Sequence, residues 1–194
     1  AERLKDDLRT REPAVDLVVG NFEKEQIPDM LDSISSLSQP HTTPSRTPQT
    51  VQNEEKPFHF EEYHQRKNDF HAFVPIMHGC NNFCTYCIVP HVRGREVSRP
   101  PEEITNELDR LESHGVKEIT LLGQNVNSYS YHTENGIFTF TDILQHILEH
   151  ISSIEWVRFL TSHPKDVPPQ LIEMIASDPR LCNHIHLPVQ HGSS

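Results

Sequence analysis

No run in the 194 residues approaches the roughly 18 to 20 consecutive apolar positions of a membrane span, and no charged-then-apolar leader opens the chain. A helical membrane anchor and a secretory signal are therefore not expected, and a cytosolic location is. Cysteine is scarce, with four in all, and three of them crowd into eight residues while the fourth stands alone. That distribution offers no paired framework of disulfides. Basic residues are also few, 17 against 28 acidic ones, for a net charge of −11. Taken by itself, that balance opposes binding to a polyanion such as nucleic acid. What is present is 35% hydrophobic residues, enough to build a core, in a chain long enough for one domain or slightly more. It begins at Ala1 rather than Met, which reads as a piece of a longer chain.

Periodicity divides the chain into three stretches. Residues 1–34 read as the tail of an α/β domain, with Leu4 and Leu8 four apart on a charged helix, a buried strand over 14–19, and Ile27, Leu31 and Ile34 on a second helix. Residues 35–69 read as a linker. Eleven of the sixteen positions 35–50 are Ser, Thr or Pro, too polar to offset the entropy of ordering, and Phe58, Phe60 and Tyr63 are the anchors expected beyond them. From residue 70 onward strands alternate with amphipathic helices. Strands are expected over 71–77, 116–122, 155–160 and 184–189, with Pro75 placing the first at a sheet edge. Helices are expected after Pro100-Pro101, over the stretch carrying Ile143, Leu144, Ile147, Leu148 and Ile151, and over 168–176. A polar loop is expected through Asn135-Gly136. Alternation of this kind predicts an α/β fold with parallel strands, and four strands make a partial, truncated (β/α) barrel.

Ligands of such folds gather at the carboxyl ends of the strands. The polar clusters of this chain fall there: Cys80, Cys84 and Cys87 after the first strand, Gly123-Gln124-Asn125 after the second, Thr161-Ser162-His163 after the third, and Gln190 after the fourth. Three thiolates on one loop suit two kinds of metal centre. A tetrahedral zinc would need His78 or His91 as its fourth ligand. An iron–sulfur cube would have three corners fastened and one iron left open to a small molecule. The lone Cys182 reads as a small apolar packing residue. Between Ile88 and Pro101, Arg93, Arg95 and Arg99 face one acid, Glu96, so a locally basic patch follows the cysteines. In a chain of this overall charge the bland reading, arginines paired with nearby carboxylates, stands beside a phosphate-binding one.

The spacing Cys80-x-x-x-Cys84-x-x-Cys87, with Tyr86 before the last cysteine, resembles the signature of the radical S-adenosylmethionine (SAM) enzymes. GREVSRP (94–100), LLGQNVNSY (121–129), ERLKDDLRTREPAVDLVVG (2–20) and HLPVQHGS (186–193) are similar to the methylthiotransferases of that superfamily, in particular to their tRNA-modifying branch. The resemblance implies that Cys80, Cys84 and Cys87 ligate a [4Fe-4S] cluster whose open iron chelates SAM. It implies one-electron cleavage of SAM to a 5′-deoxyadenosyl radical, which attacks C2–H of an adenine. It places Tyr86 beside the SAM adenine and Gly123, Gln124 and Asn125 beside its methionine part, with Gln190, Ser162 and His163 as weaker candidates. It also implies tRNA and a flavodoxin- or ferredoxin-like electron donor as partners. Arg93, Arg95 and Arg99 would then hold the tRNA backbone. The family carries a second [4Fe-4S] cluster on three cysteines of an N-terminal domain and an RNA-binding barrel at its end. Neither is matched here, so these residues alone are expected to cleave SAM at most, without modifying tRNA. Three alternatives remain: the sister branch that modifies a ribosomal-protein aspartate, a zinc-binding βα module, and an electron-transfer protein.

Overall fold

The computed structural model describes residues 11, 12, 14, 15, 17–20, 26–36, 60, 70–134, 136–188 and 190. The chain forms two compact units, residues 1–59 and 60–194.

In the first unit the described residues include helix α1 (Ile27–Ser36), in the place where Ile27 and Leu31 recur four apart. The strand expected over 14–19 is not formed. Residues 14, 15 and 17–19 make a turn and irregular backbone, with Val15 N–H donating to the Glu12 carbonyl at 3.0 Å. A strand exists only where a neighbour takes its hydrogen bonds, and no described residue does so here. Leu4 and Leu8 lie outside the described residues, as does the expected linker apart from residues 35, 36 and 60.

The second unit is built on three parallel strands in the order β1 (His71–Pro75), β4 (Glu118–Leu122), β7 (Trp156–Phe159). In register, Ala72 faces Ile119 and Ile119 faces Val157. β4 lies between the other two, and its Ile119, Thr120 and Leu121 are all buried, the continuous burial a central parallel strand requires. β1 is an outer strand of this sheet, as Pro75 implied. Among the described residues the sheet is open.

Helix α3 (Pro101–Ser113) returns the chain from β1 to β4. Pro101 occupies its first turn, where a missing N–H costs nothing, and Glu102 and Glu103 face the positive end of its dipole. Ile104, Leu108 and Leu111 form its buried stripe. It ends in a Schellman motif: Val116 N–H donates to Leu111 O and Gly115 N–H to Glu112 O, with Gly115 at φ +87°, a conformation glycine adopts without cost. Helix α4 (Phe140–His150) returns the chain from β4 to β7. A capping box of Thr139 and Asp142 starts it, and it buries Ile143, Leu144, Ile147 and Leu148. Helix α5 (Pro169–Ser177) follows β7 and buries Leu171. Among the described residues no helix is long and apolar enough to cross a membrane.

Two elements differ from the sequence reading. The loop expected through Asn135-Gly136 is a hairpin of β5 (Ser130–Thr133) and β6 (Gly136–Thr139), paired Thr133 to Gly136. The expected fourth strand over 184–189 makes no ladder. The residues before it touch β7 through a single parallel bridge, Val157 to Leu181, and the segment itself meets the loop after β7, where Ser162 N–H donates to His186 O. Between those contacts His184 N–H turns back to Cys182 O at 2.6 Å, which bends the backbone off the strand path.

Glu112 ties α3 to the loop that follows α4. Its carboxylate accepts the backbone N–H groups of Ser152, Ser153 and Ile154, and the Ser152 hydroxyl. Burial alone would raise its pKa, but these bonds outweigh burial and bring it down from 4.5 to about 2. A depressed carboxylate stabilises fully above its ordinary value, and that stabilisation is lost as pH falls through about 2. Glu112→Gln is expected to cost about 1–2 kcal/mol at pH 7, a figure reduced for solvent screening. In paired urea titrations at pH 7 and pH 2.5 the gap between variant and parent should narrow in acid; a constant gap would contradict the assignment.

Candidate functional site

The chain leaves the sheet after Pro75, and the three clustered cysteines lie on the excursion that follows. β2 (Met77–His78) pairs antiparallel with β3 (Val97–Ser98), Met77 with Ser98 and His78 with Val97. This short ladder closes a loop that contains Cys80, Cys84, Cys87, Arg93 and Arg95. The return strand is the GREVSRP stretch, so the motif is the second wall of the loop. Inside it runs a single helical turn, α2 (Val89–Val92), with Pro90 buried in its first turn. A one-turn 3-10 helix, Val126–Ser128, follows β4.

At the root of the loop Gly79 has φ +75°, and a Cβ there would meet the Arg95 carbonyl oxygen at 2.0 Å. Only glycine lets the two walls approach so closely. Cys80 is buried, at 9% exposure, and its N–H donates to Gly94 O at 3.2 Å. Cys84 and Cys87 are half-buried and joined by a turn, Cys87 N–H to Cys84 O at 2.9 Å. Burial pushes the Cys80 thiol above its ordinary pKa. The Asn82 N–H, 3.5 Å from its sulfur, pulls the other way, and Glu96, Cys84 and Cys87 each add a smaller upward push. Among the described residues no three His, Cys, Asp or Glu side chains meet as ligands of a single ion. A cube carries its ligands on separate corners and needs no such convergence. Three cysteines of one loop, the first buried with a backbone N–H on its sulfur and the other two half-buried, are donors of the type such a cluster takes.

Around the loop the side chains are unusually exposed. Tyr86, Phe83 and Ile88 are 67%, 44% and 48% accessible, and Phe83 holds a strained φ of +44°. The Arg95 guanidinium lies 4.4 Å from the Phe83 ring centroid, and His91 meets that ring edge-on. Arg93 and Arg95 are exposed. Arg99 is not. It is 1% exposed, ion-paired with buried Glu107 and with Glu103, and bonded to Pro75 O at 3.3 Å. The expectation that Arg99 meets a phosphate backbone is corrected: its charge is consumed inside the fold.

The other predicted residues separate in the same way. Gly123 makes room for Met77, whose Cγ would stand 2.4 Å from an added Cβ. Asn125 is 2% exposed; its amide donates to Asp166 at 2.7 Å and accepts His163 N–H at 3.0 Å. Its side chain joins the loops after β4 and β7, and His163 is held in that same bridge. Gln124 Oε1, Ser162 Oγ and both amide atoms of Asn127 are buried without a partner. Asn127 was not among the sequence-predicted residues, although it sits in the same polar run as Gln124. Gln190 is exposed. Cys182 is half-buried, its N–H on Val157 O, and burial raises its thiol pKa first and foremost. A groove of about 400 Å³ beside the hairpin and α4 is lined by residues such as Ile137, Asp142 and His146, none of them a predicted site residue.

A three-cysteine loop at the carboxyl end of the first strand of a parallel sheet defines a class, and comparison with known families gives the same answer. The chain matches the radical SAM superfamily model over residues 74–194 and belongs to that superfamily. It is similar to proteins named tRNA-2-methylthio-N(6)-dimethylallyladenosine synthase. That of Treponema denticola is 47% identical over 201 residues, covering 100% of this chain and 44% of the relative. That of Dictyoglomus thermophilum is 44% identical, covering 100% and 42%. One from Clostridium botulinum is 45% identical, covering 98% and 40%. The chain thus spans less than half the length of these curated relatives.

Proposed function

We propose that the protein carries the SAM-cleaving part of a tRNA methylthiotransferase that modifies N6-dimethylallyladenosine at C2 of its adenine, beside the anticodon. The observation that carries this reading is the loop Cys80–Cys87, closed by the GREVSRP strand at the end of β1, in a chain 47% identical throughout to a relative so named. We read the open sheet as the first units of a (β/α) barrel. Cys80, Cys84 and Cys87 would hold a [4Fe-4S] cluster, to which SAM would bind. When bound, that cluster supplies the electron that cleaves SAM to the 5′-deoxyadenosyl radical. Tyr86, exposed beside Cys87, takes the adenine side of SAM. Gln124, with a free buried acceptor, and the turn at Gly123 take the methionine side, and Gln190 closes the site from the following loop. Asn125 holds two of these loops in place. A second [4Fe-4S] cluster, a flavodoxin- or ferredoxin-like donor and a cytosolic location follow from the same reading.

Arg93 and Arg95 are the residues placed to hold tRNA phosphates near the free iron. An adenine must be turned out of its stack to expose C2, so contacts that fix the backbone are useful there. Removing both arginines is expected to flatten the salt dependence of tRNA binding by about one to two charges. An unchanged slope would return them to ordinary surface roles. The decisive experiment incubates the full-length protein, reconstituted with iron and sulfide, with reductant, SAM and isopentenylated tRNA. Nucleoside mass spectrometry should find the methylthio product. Zinc without iron, or product on a ribosomal-protein aspartate instead, would overturn the reading.

A further inference from the structure

We infer that Glu96 is a positioning residue: its carboxylate clamps the cysteine loop to the turn after β4 and so fixes the two sides of the SAM site relative to each other. The inference rests on the functional reading above for its purpose, and on four hydrogen bonds for its geometry. Oε1 accepts the Asn81 N–H at 3.1 Å and the Ser128 hydroxyl at 2.9 Å. Oε2 accepts the Asn81 side-chain amide at 3.2 Å, and the Glu96 N–H donates back to Asn81 Oδ1 at 3.3 Å. Asn81 directly follows Cys80. Ser128 ends the 3-10 helix that begins just after Asn125, and its hydroxyl also reaches Asn125 O at 2.8 Å.

One side chain therefore spans three segments: the start of the cysteine loop, the return wall of that loop, and the turn carrying Gly123, Gln124 and Asn125. β2 and β3 pair through only two residues each, too short a ladder to hold a long loop rigid by itself. A carboxylate accepting from a backbone N–H, an amide and a hydroxyl supplies the missing constraint with charge-assisted bonds. Its acidity also fits the place: Glu96 is the one acid among the arginines that follow the cysteines, and it bonds Asn81 and Ser128 while Arg93 and Arg95 stay exposed. A ligand gripped from the cysteine loop on one side and from the turn after β4 on the other needs that span to be constant, since a misplacement of about 1 Å can cost on the order of a hundredfold in rate.

The test uses the full-length protein, first without metal. In Glu96→Ala the amides of residues 79–88 should exchange with deuterium about tenfold faster or more, while those of Ile119 and Leu121 in β4 stay as in the parent. Reconstituted Glu96→Ala should take up iron and sulfide as the parent does, because every cysteine is intact. Its electron paramagnetic resonance signal should, however, need about tenfold more SAM to shift. Glu96→Gln keeps the oxygen shared by Asn81 N–H and Ser128, and should recover much of both properties. Ser128→Ala removes the tie to the turn, together with the turn's own bond from Ser128 to Asn125 O, and leaves the Glu96–Asn81 bonds in place. It should leave exchange in the cysteine loop close to the parent value and still weaken SAM binding. Parent-like loop exchange in Glu96→Ala, or faster exchange spread evenly through β4, would overturn the inference. If the parent itself gained no cluster, the functional reading would fail instead, and the exchange result would still decide the clamp.

Discussion

Alanine at Cys80, Cys84 or Cys87 leaves the reconstituted protein without its brown absorption, whereas Cys182→Ala retains it; this is the expected result of an anaerobic reconstitution series. Three corners of the cube each need a thiolate and the loop supplies just three, so no single member can be spared. Cys182 follows Leu181 on the bridge to β7, its backbone tied to Val157, and lies outside the loop closed by β2 and β3. Fold damage does not account for the expected loss at two of the three positions. Cys84 and Cys87 are half-buried, so removing their sulfurs leaves little cavity. Cys80 is the most enclosed, so Cys80→Ser is the better probe there. Iron and sulfide counts, with circular dichroism as a control for folding, make the measurement. Equal loss from all four substitutions, or colour surviving at any of the three, would sink the ligand assignment.

The second large effect concerns stability. Arg99→Met is expected to cost about 3–5 kcal/mol because it strands the buried Glu107 charge, and Glu107→Leu somewhat less, because Arg99 keeps its pair with Glu103. Against the roughly 5–15 kcal/mol that holds a typical domain folded, that is a severe loss. The double variant should recover most of it, since two apolar side chains in place of a buried pair are often neutral. Both partners are at most 2% exposed, and Arg99 also fixes the chain where it leaves β1: its N–H bonds Ile76 O, and the Tyr129 hydroxyl donates to its carbonyl at 2.6 Å. Burial above all pushes the pKa of that hydroxyl above its ordinary value. Urea midpoints of the three variants provide the test. A double variant as unstable as the worse single one would show that packing at Arg99, rather than charge pairing, is what matters.

The contrast between Arg95 and Arg99 marks where the sequence could be read and where it could not. Both are arginines in one short basic run, and nothing local separates a surface one from a buried one. The discriminating signal lay eight residues on, at Glu107, which falls in the apolar stripe of α3 one position before Leu108. A carboxylate inside a buried stripe asks for an internal cation. The hairpin was missed for another reason. Asn135-Gly136 is a turn signal, but the flanking SYHT and GIFT stretches lack the clean alternation expected of a buried face, and the structure leaves them largely open. By contrast, α3 and α4 were legible because their i, i+4 apolar spacing persisted throughout, and proline also marked the start of α3. The cysteine loop was legible as chemistry, through residue type and spacing. The clamp that holds it was not, because Asn81, Glu96 and Ser128 belong to three segments that meet only in the fold.

Gly79 and Gly123 have a consequence for how variation at this site should be interpreted. At Gly79 any side chain strikes a backbone carbonyl, which cannot move aside, and at Gly123 it strikes Met77, which is buried. In a saturation screen for activity both positions will therefore rank with the cysteines as intolerant, although the clash of an added side chain is by itself enough to explain the loss. Repair distinguishes them: a smaller residue at 77 should rescue alanine at 123, because a side chain can give way, and no neighbouring replacement should rescue alanine at 79. A screen read without that distinction would count two steric gates as members of the catalytic machinery.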